Sequence, residues 1–151
     1  STLHTNDAPG TISRLLNMGI EPFLITASLN LVLAQRLARR ICSKCKEPVE
    51  VPDATLLDLQ FRKDELGSFS PQKGKGCATC SDTGFKGRVA LYEVMVMNEQ
   101  LKEAIINGAS TAEVKEIAIQ TGMQTLRRAG LNKVRDGMTT IEEVMRVSMA
   151  D

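Results

Sequence analysis

The sequence predicts a helix-rich α/β fold, and three observations carry that expectation. The last third of the chain is divided by N-cap residues and glycine stops at helical spacing. Val89 to Met97 is rich in large apolar and β-branched residues, the composition of a strand. Between residues 42 and 87 lie all four cysteines, three of the five prolines and a cluster of glycines, which mark a loop-rich module.

Composition narrows the function classes. The chain has 151 residues, of which 42% are hydrophobic and 25% charged, so a disordered or collagen-like chain is excluded. Nineteen Lys+Arg against 18 Asp+Glu leave a net charge of +1, which argues against a nucleic-acid coat or a polybasic membrane anchor. Aromatics are only 3%, with no Trp and one Tyr, so a stacking platform for single strands is not expected. The longest apolar stretch, Phe23 to Ala34, carries Thr26, Ser28 and Asn30 and falls short of the ~20 residues of a membrane span. Ser1 is followed by no basic-then-apolar leader, so the chain is expected to begin within a longer protein or to have been processed.

The first helix follows from Asp7 as N-cap and Pro9 in the first turn, where its missing N–H costs nothing. Ile12, Leu15 and Leu16 recur at helical spacing and Gly19 supplies the stop. Glu21-Pro22 opens a second helix whose apolar residues Phe23, Leu24, Ile25 and Leu29 predict a well-buried element. Leu33 to Ile41 reads equally as a continuing helix or as a strand with Leu33, Leu37 and Ile41 on one side. In the loop-rich module the one helical candidate is Thr55 to Leu66, with Leu56, Leu59 and Phe61 apolar. Val89 to Met97 is interrupted only by Glu93, so it reads as a strand buried on both faces. Such a strand needs a neighbour. Either Leu33 to Ile41 provides it, or the sheet lies partly outside this sequence.

Four helices close the chain. Asn98 caps the first, which ends at Gly108. Ser110 and Glu113 have capping-box spacing, with Val114, Ile117 and Ala118 as the buried stripe and Gly122 as the stop. Thr125 starts the third, with Leu126, Ala129 and Val134 apolar and Gly137 at its end. Thr140 and Glu143 repeat the capping box before Ile141, Val144 and Val147.

The cysteines form two C-x-x-C pairs, Cys42/Cys45 and Cys77/Cys80, with 31 residues between them. A C-x-x-C turn presents two sulfurs on one side, and two such turns complete a tetrahedral zinc site. Two disulfides would need an oxidising compartment, a redox pair would need only one C-x-x-C, and an iron–sulfur cluster is less suited to paired spacing. Structural zinc on Cys42, Cys45, Cys77 and Cys80 is therefore the favoured reading. With sulfur in every position, the metal has no open site for catalysis. Lys44, Lys46, Lys75 and Lys86 lie near enough in sequence to favour thiolates.

His4 is the only histidine. A surface or capping role accounts for it. Its place before a helix N-terminus, in T-L-H-T-N-D, also offers amides and hydroxyls to an anion such as phosphate. No phosphate loop of the form G-x-x-x-x-G-K-[ST] accompanies it.

These motifs, taken in order, resemble a known family. They are S-T-L-H-T-N-D-A-P-G, A-Q-R-L-A-R-R-I-C-x-x-C, G-C-x-x-C-x-x-T-G-F-K-G-R-V-A-L-Y-E-V, G-M-x-T-L-R and T-T-I-E-E-V-M-R-V. Together they resemble the C-terminal part of the bacterial secretion ATPase superfamily, in its type IV pilus assembly and type II secretion branch. The resemblance covers essentially the whole chain. It implies the C-terminal part of a RecA-like P-loop ATPase core, an inserted four-cysteine zinc module and a C-terminal helical subdomain. Residues 1–41 and 88–97 would belong to the core, 42–87 to the zinc module and 98–151 to the helical subdomain. By the same analogy the strand ending at Ile41 pairs with Val89 to Met97.

His4 matches the family's histidine box, which lies beside the nucleotide γ-phosphate, and the four cysteines match its zinc ligands. The resemblance further implies a parent that binds ATP with Mg²⁺. That parent forms a homo-hexamer on the cytoplasmic side of the inner membrane and acts on a platform protein there. The phosphate loop and acidic segments of the family are absent from these residues, so the chain alone is expected neither to bind ATP tightly nor to hydrolyse it. The basic residues Arg36, Arg39, Arg40 and Lys44 form either a solvated face or a surface for acidic partners. A stand-alone zinc module for protein or nucleic-acid contacts is the alternative from another class, and near-neutral charge weighs against its nucleic-acid form. A C-x-x-C redox protein is a third reading.

Overall fold

Asp7 begins the first helix as its position suggests: its carboxylate accepts from the Gly10 amide at 2.9 Å. In the computed structural model, which describes residues 1–149, the order is α1 (Ala8–Asn17), α2 (Pro22–Ser28), β1 (Leu31–Ile41), β2 (Lys46–Pro48), α3 (Asp53–Asp58), β3 (Gln72–Gly74), β4 (Phe85–Val96), α4 (Glu99–Ile106), α5 (Thr111–Gln120), α6 (Leu126–Arg135) and α7 (Ile141–Val147). Short 3₁₀ turns lie at Lys63–Glu65 and Ala78–Cys80. The last two positions of the expected 98–151 subdomain lie outside the described residues. β1 pairs with β4, and β2 pairs with β3 antiparallel.

The chain forms two compact units. One comprises Ser1–Gln35 with Tyr92–Leu126, the other Arg36–Leu91 with Arg127–Asp151. In the first, α1 packs on α5, α5 on α4 and α4 on α2. Ile12, Leu101, Ile105, Val114 and Ala118 are almost completely buried there. The Asn98 and Ser110 caps are present, accepting from the Leu101 and Glu113 amides. Glu113 closes the capping box with a 2.7 Å bond from the Ser110 amide.

The core of the second unit is Leu56, Phe61, Leu131, Val134 and Val144, with Phe69 tilted against Phe61 at 5.1 Å. α6 and α7 meet where Gly130 faces Val144, and a Cβ on Gly130 would lie 2.5 Å from a Val144 methyl. Glu65 pairs with Arg128 and, at 3.3 Å, with Arg135. The Thr139 hydroxyl donates to the Arg39 carbonyl at 2.8 Å, and the Ile41 amide to the Met138 carbonyl at 2.9 Å.

Several local expectations change. Leu33 to Ile41 is strand, and it buries Val32, Ala34, Ala38 and Ile41 while Leu33 and Leu37 stand exposed. Strand alternation places Val32, Ala34 and Ala38 on the inner face and Leu33 and Leu37 on the outer one. β4 is buried on one face only, through Leu91, Glu93 and Met95, and leaves Tyr92, Val94 and Val96 exposed. The single acid of that strand is therefore on its inner face.

The Thr55 to Leu66 candidate is not one helix. Gln60 adopts a left-handed φ of 73° and ends it, and Phe61 turns inward to the core. α2 is less buried than its composition suggests, for Phe23 and Leu24 are exposed. Finally, Thr140 accepts from the Glu143 amide, but the Glu143 carboxylate does not return to Thr140. It is taken by Arg39 and Arg146, which are stronger partners.

Candidate metal centre

Cys42 follows the last residue of β1, and Cys45 immediately precedes β2. The β2–β3 register sets Lys46 opposite Gly74 and Pro48 opposite Gln72. One step further, the Lys75 amide donates to the Cys45 carbonyl at 2.9 Å. This ribbon carries the second pair back to the first, since Cys77 lies three residues beyond β3 and Cys80 closes a 3₁₀ turn. The close approach needs glycine: a Cβ on Gly74 would sit 2.0 Å from the Gly84 carbonyl oxygen, and Gly84 itself has a φ of +77°. Cys42 completes the closure, its amide donating to the Gly84 carbonyl at 2.9 Å.

All four Sγ atoms lie within 4.8 Å of one another. The nearest separations are 3.7 Å for Cys77–Cys80, 3.8 Å for Cys45–Cys80 and 3.9 Å for Cys42–Cys77. No disulfide joins them, and all four cysteines are free. A tetrahedron of sulfurs ~2.3 Å from a central zinc has edges of about 3.8 Å, so the spacing suits a tetrahedral metal and not a covalent S–S bond. Cys42 and Cys80 are buried and Cys45 and Cys77 half-buried.

Main-chain amides organise the sulfurs. Gly76 donates to Cys45, while Cys77 and Gly84 both donate to Cys80, each at 3.3 Å. Burial raises the Cys80 thiol, but its two amide donors together with hydrogen bonds from the Cys77 and Cys45 sulfurs outweigh that and bring it down to about 6. The Cys80 amide likewise lowers Cys77. Cys45 is pushed up to about 12, chiefly by burial, against the pull of the Gly76 amide. Four sulfurs this close cannot all be thiolates without a cation among them, and a soft divalent metal would provide it. These amide donors are invisible to motif spacing. The glycines at 74, 76, 84 and 87, around the second C-x-x-C, were their sequence trace.

His4 is exposed on the segment before α1. The anion site expected of that helix start is altered by two carboxylates. Asp7 accepts from Gly10, and the Ala8 amide donates to Glu93 Oε1 at 2.7 Å. Amides engaged by carboxylates are poor hosts for a further anion, so these two are not free to bind phosphate. Glu93 also accepts from the Leu126 amide through Oε2 at 2.9 Å, and the residue is only 2% exposed. Burial raises its pKa, although both amides pull the other way.

Arg39 is not part of a free basic face. Its guanidinium sits 4.2 Å above the Phe85 ring and pairs with Glu143. No helix of the described residues is long and apolar enough to cross a membrane.

Residues 1–146 match the family model described as type II/IV secretion system protein. The chain is 60% identical over 146 residues to the type IV pilus assembly ATPase PilB of Myxococcus xanthus, covering 96% of this chain and 26% of that protein. It is 48% identical to the PilB of Thermus thermophilus, covering 96% of this chain and 16% of that protein. It is 41% identical to the type II secretion system ATPase E of Vibrio cholerae, covering 98% of this chain and 29% of that protein. The chain thus spans at most about a quarter to a third of the length of these relatives.

Proposed function

The chain belongs to the type II/IV secretion system protein family, and from that membership we propose that it is the zinc-binding C-terminal part of an ATPase powering type IV pilus assembly or type II secretion. The observation that supports this reading best is a conjunction. Similarity to named pilus-assembly and secretion ATPases runs over nearly the whole chain, and the four cysteine sulfurs converge within it.

On this reading residues 1–41 and 88–97 complete a RecA-like core, 42–87 are the zinc module and 98–151 the helical subdomain. His4 touches the γ-phosphate of ATP bound with Mg²⁺ by the remainder of the protein. The assembled ATPase is a homo-hexamer, cytoplasmic and peripheral at the inner membrane through its platform protein. Bound zinc would cross-link three pieces of chain: the end of β1, the β2–β3 ribbon and the turn at residues 77–84. Cys42, Cys45, Cys77 and Cys80 are the residues that would hold it, and their all-sulfur set leaves it a structural role.

The test uses the full-length protein. One equivalent of zinc and Mg²⁺-dependent ATP turnover that falls on His4→Ala are expected. Turnover indifferent to His4→Ala would remove His4 from the reading, and a metal-free protein with four titratable thiols would remove the zinc. The isolated chain is expected to show no turnover. Loss of pili or of secreted protein on deletion in the host assigns the pathway.

A further inference from the structure

Glu93 is a buried carboxylate that the reading above leaves unused. On β4 it occupies the inner face between Leu91 and Met95, both completely buried. A charge placed there costs several kcal/mol unless it is compensated. Its compensation comes from two main-chain amides, one on each oxygen. Ala8 is the first residue of α1, and Leu126 the first of α6. Helix starts present amides without intrahelical partners at the positive end of the dipole, so both bonds are charge-assisted.

We infer that Glu93 is a positioning residue for His4, tying the start of α1, four residues after His4, and Leu126 to one point of β4. The inference rests on the reading of His4 as a phosphate contact. Two bonds near His4 are local: the hydroxyls of Thr5 and Thr11 meet at 2.9 Å, and Asp7 accepts from Gly10. Those hold the segment to its own helix. The Ala8–Glu93 bond spans 85 positions and holds the helix start to the strand.

A leucine would fill the same volume and leave two buried amides unpaired. A glutamine offers one oxygen and turns an NH₂ donor toward the second amide. An aspartate is one methylene short of reaching both. Glutamate is thus the side chain whose two equivalent acceptors fit two donors from distant segments.

The experiment is a double-mutant cycle in the full-length protein, with ATP turnover and hydrogen exchange as readouts. Glu93→Gln is expected to lower kcat about tenfold with KM for ATP unchanged, as a small displacement of a phosphate-contacting group does. The double variant Glu93→Gln/His4→Ala is expected to be no slower than His4→Ala alone. Losses that multiply, or an unchanged kcat in Glu93→Gln, overturn the inference.

Exchange at the Ala8 and Leu126 amides is expected to accelerate about tenfold, with α4 unchanged, as for loss of one bond to a charged group. Unchanged exchange there overturns the inference. Accelerated exchange together with a silent His4→Ala means that the His4 reading has failed instead, and with it the positioning role. Glu93→Asp is the second variant, still charged, and is expected to show the same pattern. Zinc content and the thermal midpoint, measured first, report that each variant is folded.

Discussion

Glu143 accepts a 2.7 Å bond from the Arg39 amide and a 3.0 Å bond from its guanidinium, joining α7 to β1 across 104 positions. Arg146, one turn along the same helix, donates to both carboxylate oxygens. The carboxylate is nearly inaccessible, while both arginine side chains are more than half exposed. Truncating Glu143 therefore leaves no buried cation, and the cost lies in lost bonds. Glu143→Ala is expected to lower stability by about 2 kcal/mol in chemical denaturation, and to loosen α7 against β1.

Acid sensitivity follows from the same group together with Glu65. The hydrogen bonds from Arg146 bring Glu143 down from 4.5 to about 2, against burial and with help from Arg39. Arg128 does the same for Glu65, which also falls to about 2. A folded-state value below the unfolded one stabilises the charged form. Stability from both groups is therefore full above about pH 4.5 and is lost as pH falls toward 2. The thermal midpoint should fall steeply across that window. Glu143→Gln and Glu65→Gln should each flatten the fall, and a midpoint independent of pH between 4.5 and 2 would contradict it.

The metal centre predicts zinc-dependent protection from thiol reagents. With zinc bound, none of the four cysteines should be alkylated quickly. After chelation, all four should react. Mass spectrometry of peptides from a timed alkylation, with and without chelator, reads the protection. Cys80→Ser should abolish stoichiometric zinc and unfold the module, since structural zinc in peptides contributes roughly 10–16 kcal/mol to folding.

Gly74 should be among the least replaceable residues of the zinc module. Its alanine variant places a methyl against the Gly84 carbonyl, so the β3 end and the Cys77–Cys80 turn must separate. Gly74→Ala is expected to weaken zinc retention in a competition with a colour-forming chelator. Gly67→Ala is the control, because Gly67 has a φ of +78° and nothing near its missing Cβ. It should cost about 1 kcal/mol with zinc retained.

Close packing of α6 on α7 is tested at Gly130. A methyl there meets the Val144 side chain, and Gly130→Ala should destabilise by roughly 1–3 kcal/mol despite the better helix propensity of alanine. Gly130→Ala combined with Val144→Ala should recover part of that loss relative to Val144→Ala alone.

How much of this was legible beforehand depends on the reach of each interaction. Asp7, Asn98 and Ser110 cap helices as their spacing indicates, because a cap satisfies amides two or three residues away. The cysteine quartet was legible because each C-x-x-C is a local turn and the chemistry of sulfur needs four of them. Thr140 and Glu143 carry the same spacing as Ser110 and Glu113, yet only one half of the box forms. Nothing in the local spacing announces that Arg39, 104 positions away, will claim Glu143.

Glu93 shows the same division most sharply. In the string V-A-L-Y-E-V-M-V it reads as the polar interruption of a strand. Strand alternation alone cannot say which parity faces inward, because apolar residues occupy both. Packing against the helices decides it, burying the acid and leaving Tyr92 and Val94 outside. Residue order thus set the helix starts at Asp7, Asn98 and Ser110, the cysteine quartet and the family, all of which depend on neighbours in the chain. Tertiary structure alone decided which face of β1 and β4 is buried, which partner each carboxylate takes and how two distant cysteine pairs close on one point. Those outcomes depend on groups brought together by folding, whose energies no local segment contains.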